Sequence, residues 1–287
     1  MLHRSTIQLL RFPFSFFLLP VYLFAISQAE VLMIWRAIAV FFIIHFLVYP
    51  ASNGYNSYMD RDTGSIGGIK NPEQPTRQLF IVSAVMDGLA VLLSLLVYPP
   101  FALGVLIYIA VSRAYSYRGI RLKKYPFIGY LTVTIFQGAM MFIFISAACD
   151  AAFALQNVLF PALISSLLIG GFYPLTQVYQ HEADLRDGVV TISYRLGYRG
   201  TFIFSGIVYS LAMALLFYHY LLQGEPWKFV LFIVMMAPVP WFFMQWAMAV
   251  WKDNTAADFD HTMKMNVIAS VCTNIAFLSI LISQFFE

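Results

Sequence analysis

Tyr49–Gly68, YPASNGYNSYMDRDTGSIGG, is the point at which a long apolar run gives way to asparagines and aspartates. If the preceding helix continues inward, Asn53, Asn56 and Asp60 fall at i, i+3 and i+7 and share one face. Asp62 follows two residues later, where Thr63-Gly64 and Gly67-Gly68 break the helix. Carboxylates and amides at the mouth of a membrane helix suit a hard divalent cation, which in turn holds phosphate oxygens. Taken alone, the same residues also fit a polar helix end standing in water.

The rest of the chain makes a membrane setting the expectation. Of 287 residues 61% are hydrophobic and only 11% charged, with 28 Phe and 17 Tyr. A soluble domain of this length needs a more charged surface, so the composition indicates an all-α polytopic membrane protein. Cys149 and Cys272 have neither the number nor the spacing of a disulfide framework or a metal knuckle. Nothing in the sequence suggests nucleic-acid binding or an obligate protein partner.

Nine apolar segments near the ~20 residues of a helical span can be marked. They lie at 13–29, 31–52, 79–98, 99–114, 126–147, 155–179, 201–222, 228–251 and 265–285. Arg4 and Arg11 before the first give it the look of a signal peptide, but its internal Pro20 and its length favour a retained helix. No repeat or soluble insertion interrupts the series, so residues 1–287 read as one domain. Every Lys and Arg except Arg36 and Lys228 falls on the side of the N-terminus and the long even-numbered loops. The positive-inside rule makes that side cytoplasmic and sends the C-terminus to the opposite side of a cell or inner membrane. Both Asp/Asn-rich loops lie on the same side.

A second polar cluster closes the sixth segment: Gln177, Gln180, His181, Glu182, Asp184, Arg186 and Asp187, before Gly188. Gln177, Gln180 or His181, and Asp184 share a helix face at spacings of three or four, whereas Glu182 points elsewhere. Two acidic helix ends facing each other suit Mg²⁺ bridging to a diphosphate, although a solvated terminus has the same composition. Between them in sequence runs YSYRGIRLKKYP, Tyr115–Pro126, whose cations either anchor the chain to headgroups or contact phosphate. Arg118, Lys123 and Lys124 are the candidates here, with Lys70 and Arg77 after the first cluster. Deeper in the helices, His45 and Asp87 lie at similar depth and are expected to pair. Gln137 and Asn274 are expected to hydrogen-bond between helices.

At these residues the chain resembles the UbiA superfamily of intramembrane prenyltransferases over nearly its whole length. LLRFPFSFFLLPVYL is similar to the family's start, and NSYMDRD to its first aspartate-rich motif through Asn56 and Asp60, with Asp62 close by. KNPEQPTRQLFIVSA resembles the link into the third helix, and YSYRGIRLKKYPFIGYLTVTIFQG the segment leading into the fifth. ADLRDGVVTISYRLG resembles the tail of the second motif through Asp184, Gly188, Thr191 and Arg195-Leu-Gly. Two positions depart from the pattern. Gly64 stands at the usual third acidic position of the first motif, and Gln180 replaces the earlier aspartate of the second.

The resemblance implies nine helices around a central cavity, an allylic isoprenyl diphosphate as donor, and a hydrophobic acceptor such as an aromatic ring reached from membrane lipid. It implies Asn56, Asp60 and Asp184 as the catalytic set. Mg²⁺ would be held by Asn56, Asp60, Asp62 and Asp184, with Glu182 or Asp187 compensating for Gln180 if the helix ends early. Asn53, Lys70, Arg118, Lys123, Gln180 and Arg186 become substrate-binding candidates. The competing expectation is an isoprenoid- or lipid-binding or transport protein that keeps this fold without turnover, left open by Gln180 and Gly64.

Overall fold

The structure, a computed structural model, describes residues 1–286. Its elements are helices, with two isolated bridges in the connections. In chain order they are α1 (Arg4–Ile26), α2 (Ile34–Asp60), α3 (Arg77–Val97), α4 (Pro99–Ser116), α5 (Pro126–Cys149), α6 (Leu155–Arg186) and α7 (Ile192–Leu222). A pair bent by 45°, α8 (Pro226–Met236) and α9 (Pro238–Lys252), precedes α10 (Phe259–Ser283). Proline opens α4, α5, α8 and α9, where a missing N–H costs nothing. Every expected segment therefore falls on a helix or on the bent pair.

The count of spans differs from the expected nine. Among the described residues seven helices are long and apolar enough to cross a bilayer, or eight if α8 and α9 form one span. The helix that falls short is α4, 18 residues ending in Arg113-Ala-Tyr-Ser.

Three irregular helices position the interior. In α2 the turn Ile44–Val48 is a π turn just ahead of Pro50. The proline ring would crowd the carbonyl four residues back, and a wider turn makes room for it. In α5 a second π turn spans Thr134–Met140. The Ser166 hydroxyl of α6 enters it, accepting from the Ala139 N–H at 2.9 Å and donating to the Thr134 carbonyl at 2.8 Å. In α6 the backbone tightens to 3₁₀ geometry over Tyr173–Gln180. Between these helices the core is aromatic: Phe24 stacks on Phe277 at 4.6 Å, and Trp246 meets Phe202 edge-on at 4.8 Å. At one end of the bundle Asp150 ties two connections together by accepting the amides of Val31 and Ala152, each at 2.9 Å.

The expected His45–Asp87 pair does not form. His45 is fully buried among Phe16, Tyr22, Phe41 and Tyr49, with Nδ1 against the Phe41 carbonyl at 3.1 Å. Asp87 pairs with Arg113 of α4, whose guanidinium lies 3.9 Å from the Tyr55 ring centroid. Arginine carries its charge permanently, whereas a buried histidine would have to be protonated to serve. Gln137 does bond between helices, donating to the Tyr108 hydroxyl at 3.4 Å, but Asn274 donates within α10 to Ser270.

Asp87→Ala is expected to lower stability by about 3–5 kcal/mol, because it strands a mostly buried guanidinium. Replacing both Asp87 and Arg113 by leucine should recover much of that loss. Unfolding in detergent of the single and double variants checks it, and equal losses in both would remove the ion pair from the explanation.

A candidate active site at a charged cavity mouth

The face of α2 that carries Tyr49, Ser52, Asn53, Asn56 and Asp60 lines a cavity of about 340 Å³, within the range of small-molecule sites. The α2 helix ends at Arg61 in a left-handed turn (φ 54°), and Asp62 follows at the rim. Across the opening, the 3₁₀ stretch of α6 has three residues per turn. Tyr173, Thr176 and Tyr179 therefore form one row, with Gln177 and Gln180 in the next. All five line the cavity, as does Asp184 one turn on. The two polar helix ends thus face one space. His181 turns away from it, bonding the Ser193 hydroxyl at 2.7 Å, and Glu182 is exposed.

The basic connection after α4 joins the two ends. Lys123 Nζ lies 2.5 Å from Asp60 Oδ2, with both side chains largely buried. Arg121, held left-handed at φ 53°, donates to the Asp187 carboxylate and backbone carbonyl and comes within 3.7 Å of Asp60 Oδ1. Arg118 has a capping role. Its guanidinium reaches the carbonyls of Met59 at 2.9 Å and Asp60 at 3.3 Å, which α2 leaves unpaired at its end.

Two further residues shape the mouth. Arg11 interrupts α1 in a left-handed conformation (φ 50°) and points its buried side chain into the cavity. It donates to the carbonyls of Asn53 at 3.2 Å and Gly67 at 3.3 Å, which draws the loop after α2 back over α1. Gln180 holds the same loop from the other side, its amide donating to the Ser65 carbonyl at 3.2 Å. A carboxylate at position 180 could not make that bond.

Of the expected site residues, Asn53, Asn56, Asp60, Asp62, Lys123, Gln180 and Asp184 all line the one cavity. Asp187 lies beside it, engaged by Arg118 and Arg121. Lys70 is elsewhere, pairing with Asp260 at 2.7 Å on the exposed surface, and Arg186 is exposed. Lys70→Ala should therefore leave turnover within about twofold and stability within about 1 kcal/mol. Steady-state rates and unfolding in detergent check this; a large loss of turnover would bring Lys70 into the site. Arg11 and Arg121 are the residues that spacing did not single out.

The rim carboxylates titrate in opposite senses. Burial, and then the neighbouring Asp60 carboxylate, push Asp62 above the usual aspartate range, against the pull of Lys123 and Arg11. Partial burial also opposes ionisation of Asp187, but the Arg121 hydrogen bond and the Arg121 and Arg118 charges hold it below that range.

Among the described residues no three acids, histidines or cysteines gather closely enough to form a ready-made metal cluster. The acids are instead spread around the opening, several against cations. The donor set nevertheless suits a hard cation. Asn56, Asp60, Asp62, Gln180 and Asp184, all bearing side-chain oxygens, line one space; the Asn56 oxygen accepts from the Ser116 hydroxyl at 3.1 Å, and Asp60 Oδ1 is buried without a hydrogen-bond partner.

Residues 17–268 match the model of the UbiA prenyltransferase family. The whole fold is similar to an apo UbiA homologue from Aeropyrum pernix K1, with TM-score 0.70 and 17% identity over 96% of this chain and 99% of that one. It is also similar to a UbiA homologue from Archaeoglobus fulgidus bound to DMAPP and Mg²⁺, with TM-score 0.68 and 16% identity over 96% and 99%. A digeranylgeranylglyceryl phosphate synthase matches with TM-score 0.61 and 20% identity over 97% of each chain. No curated protein matches by sequence.

Proposed function

The chain belongs to the UbiA prenyltransferase family, and from that premise we propose that it moves an isoprenyl group from an allylic isoprenyl diphosphate to a hydrophobic acceptor, releasing diphosphate. The observation that carries this reading is a single cavity with two chemistries. Acids, amides and cations gather at its mouth, and Phe24, Phe136, Leu168, Ile169, Phe172 and Phe277 line its interior. A diphosphate and an isoprenoid tail ask for that division.

Asn56, Asp60, Asp62 and Asp184 would hold Mg²⁺, with the Gln180 carbonyl in place of a further carboxylate. Bound there, Mg²⁺ supplies charge neutralisation to the departing diphosphate. Lys123 lines the mouth and Arg121 lies beside it against Asp60, so both would face the same diphosphate oxygens, and Arg11 adds a third buried cation at the rim. In a low-dielectric mouth these charges act more strongly than in water and are already oriented. The loop held by Arg11 and Gln180 borders the opening through Asp62, Ile66 and Gly67, where it would help to keep water from the allylic carbon once the C–O bond breaks. Asp187 acts through Arg121, fixing the guanidinium between the two helix ends.

The distribution of Lys and Arg supports placing this mouth on the cytoplasmic side, and the aromatic interior supports delivery of the acceptor from the lipid phase. The test is diphosphate release by the purified protein, offered geranyl and geranylgeranyl diphosphate with membrane-lipid extract. Release with Mg²⁺ and none with chelator is the expected result. Donor binding without release under any condition would replace the enzyme by an isoprenoid carrier on the same fold.

A further inference from the structure

Among the cavity residues that the polar mouth and apolar interior leave without a role is a buried amide. Asn266 lies on α10, one turn in from Met263, whose sulfur accepts the Gly68 amide at 3.2 Å where the rim loop passes. That places its amide about 4.5 Å deeper than the rim, at the 1.5 Å rise of a helix. Asn266 is only 8% exposed and lines the cavity, and its Nδ2 has no hydrogen-bond partner.

The neighbouring polar groups on the same face of α10 are satisfied. Ser270 donates to the Phe16 carbonyl at 3.1 Å, and Thr273 to the Ala269 carbonyl at 2.7 Å. The cavity hydroxyls of Tyr49, Ser57 and Ser165 are also unpartnered, but a hydroxyl hydrogen can turn about its C–O bond, and a helical serine can rotate to the carbonyl four residues back. A primary amide has two N–H groups in fixed directions and no such escape. A hydrocarbon tail cannot satisfy them, so an unfilled amide at this position is a net cost. The donor's diphosphate is provided for elsewhere, because the cations of the mouth come from α1 and the connection after α4, and no charged residue of α10 lines the cavity.

We infer that Asn266 orients the acceptor by hydrogen-bonding a hydroxyl on it. The amide N–H donates to the hydroxyl oxygen while the amide carbonyl accepts its proton, a pairing that a phenolic or enolic hydroxyl can complete and an alkyl group cannot. The bond holds the acceptor on the α10 wall, at the depth where the first carbons of the donor leave the mouth. This inference rests on the transferase reading for its meaning, and its measurement is separate.

The probes are 4-nonylphenol and nonylbenzene, which differ by the hydroxyl alone. Binding of each to purified protein is measured alongside binding of geranyl diphosphate with Mg²⁺, in wild type, Asn266→Leu and Asn266→Ala. Wild type should bind the phenol about fivefold more tightly than the hydrocarbon, as one neutral hydrogen-bonded pair allows. Both variants should lose that preference while the geranyl diphosphate affinity stays within about twofold, and the alanine variant covers the case in which leucine is too large to fit. No preference in wild type, or a preference surviving in the variants, overturns the assignment. Weakened geranyl diphosphate binding in the variants also overturns it, by moving Asn266 to the donor. If no protein binds geranyl diphosphate with Mg²⁺, the transferase reading fails, and the phenol comparison still decides whether Asn266 recognises a hydroxyl.

Discussion

Asp60→Asn is expected to lower Mg²⁺-dependent diphosphate release by about 10²–10³-fold, the usual loss when one preorganised charge is taken from a transition-state site. The substitution keeps size and shape and removes only charge. Asp60 closes α2 with its side chain 5% exposed, between Lys123 at 2.5 Å and Arg121 at 3.7 Å. Two effects follow from one change. The oxygen set loses a largely buried carboxylate, and the two cations lose an anion that now positions them. The Mg²⁺ concentration for half-maximal donor binding should rise by about tenfold or more. Titration of donor binding against Mg²⁺, beside the release assay, separates this from misfolding. Release within threefold of wild type would remove Asp60 from the machinery.

Gly138→Val should prevent the folded protein from accumulating. A Cβ at Gly138 would lie 2.5 Å from the Ser166 Cα and 2.8 Å from its nitrogen, both backbone atoms that a rotamer change cannot move. The clash falls inside the π turn of α5, which the Ser166 hydroxyl itself holds open. Pushing α5 and α6 apart breaks those bonds and strands buried backbone groups with no water to replace them. Ser166→Ala removes the hydroxyl without the clash, and should cost about 1–3 kcal/mol while leaving the protein isolable. Detergent-extracted yield and size-exclusion profile distinguish the two. A monodisperse Gly138→Val protein of normal stability would mean that the helices pack less closely than they do here.

The positions of the helices were legible because each depends on a local quantity, the length of an apolar run and the proline or polar residue that ends it. The acidic mouth was legible for a similar reason: Asn53, Asn56 and Asp60 keep helical spacing through regular turns, so counting residues puts them on the right face. Counting fails where the turn widens or tightens. The π turn at Ile44–Val48 contains His45 itself, and no rule of spacing could announce that Asp87 would find Arg113 instead. Arg11 was hidden because it stands before the first apolar segment, where it reads as a flanking charge, and its role depends on a left-handed turn that spacing does not announce. Lys70 was misleading for the opposite reason, since it follows the acidic motif in sequence while its loop carries it out to Asp260. The apparent loss of a ligand at Gln180 also takes another meaning once the loop is in place, because the amide fastens Ser65.

The pairing of charges at the mouth bears on the order in which the site fills. Asp60, Asp62, Asp184 and Asp187 stand against Arg11, Arg118, Arg121 and Lys123, so the formal charges cancel. A divalent cation arriving alone would leave an excess of positive charge in a poorly solvated opening, and a bare diphosphate an excess of negative charge. The chelate of the two would leave the balance nearly unchanged, with Asp60 among the residues that would hold the metal and Lys123 and Arg121 left to face the diphosphate. Metal and donor are therefore expected to reinforce each other's binding, each weak without the other, and stray ions on either side of neutrality to be disfavoured.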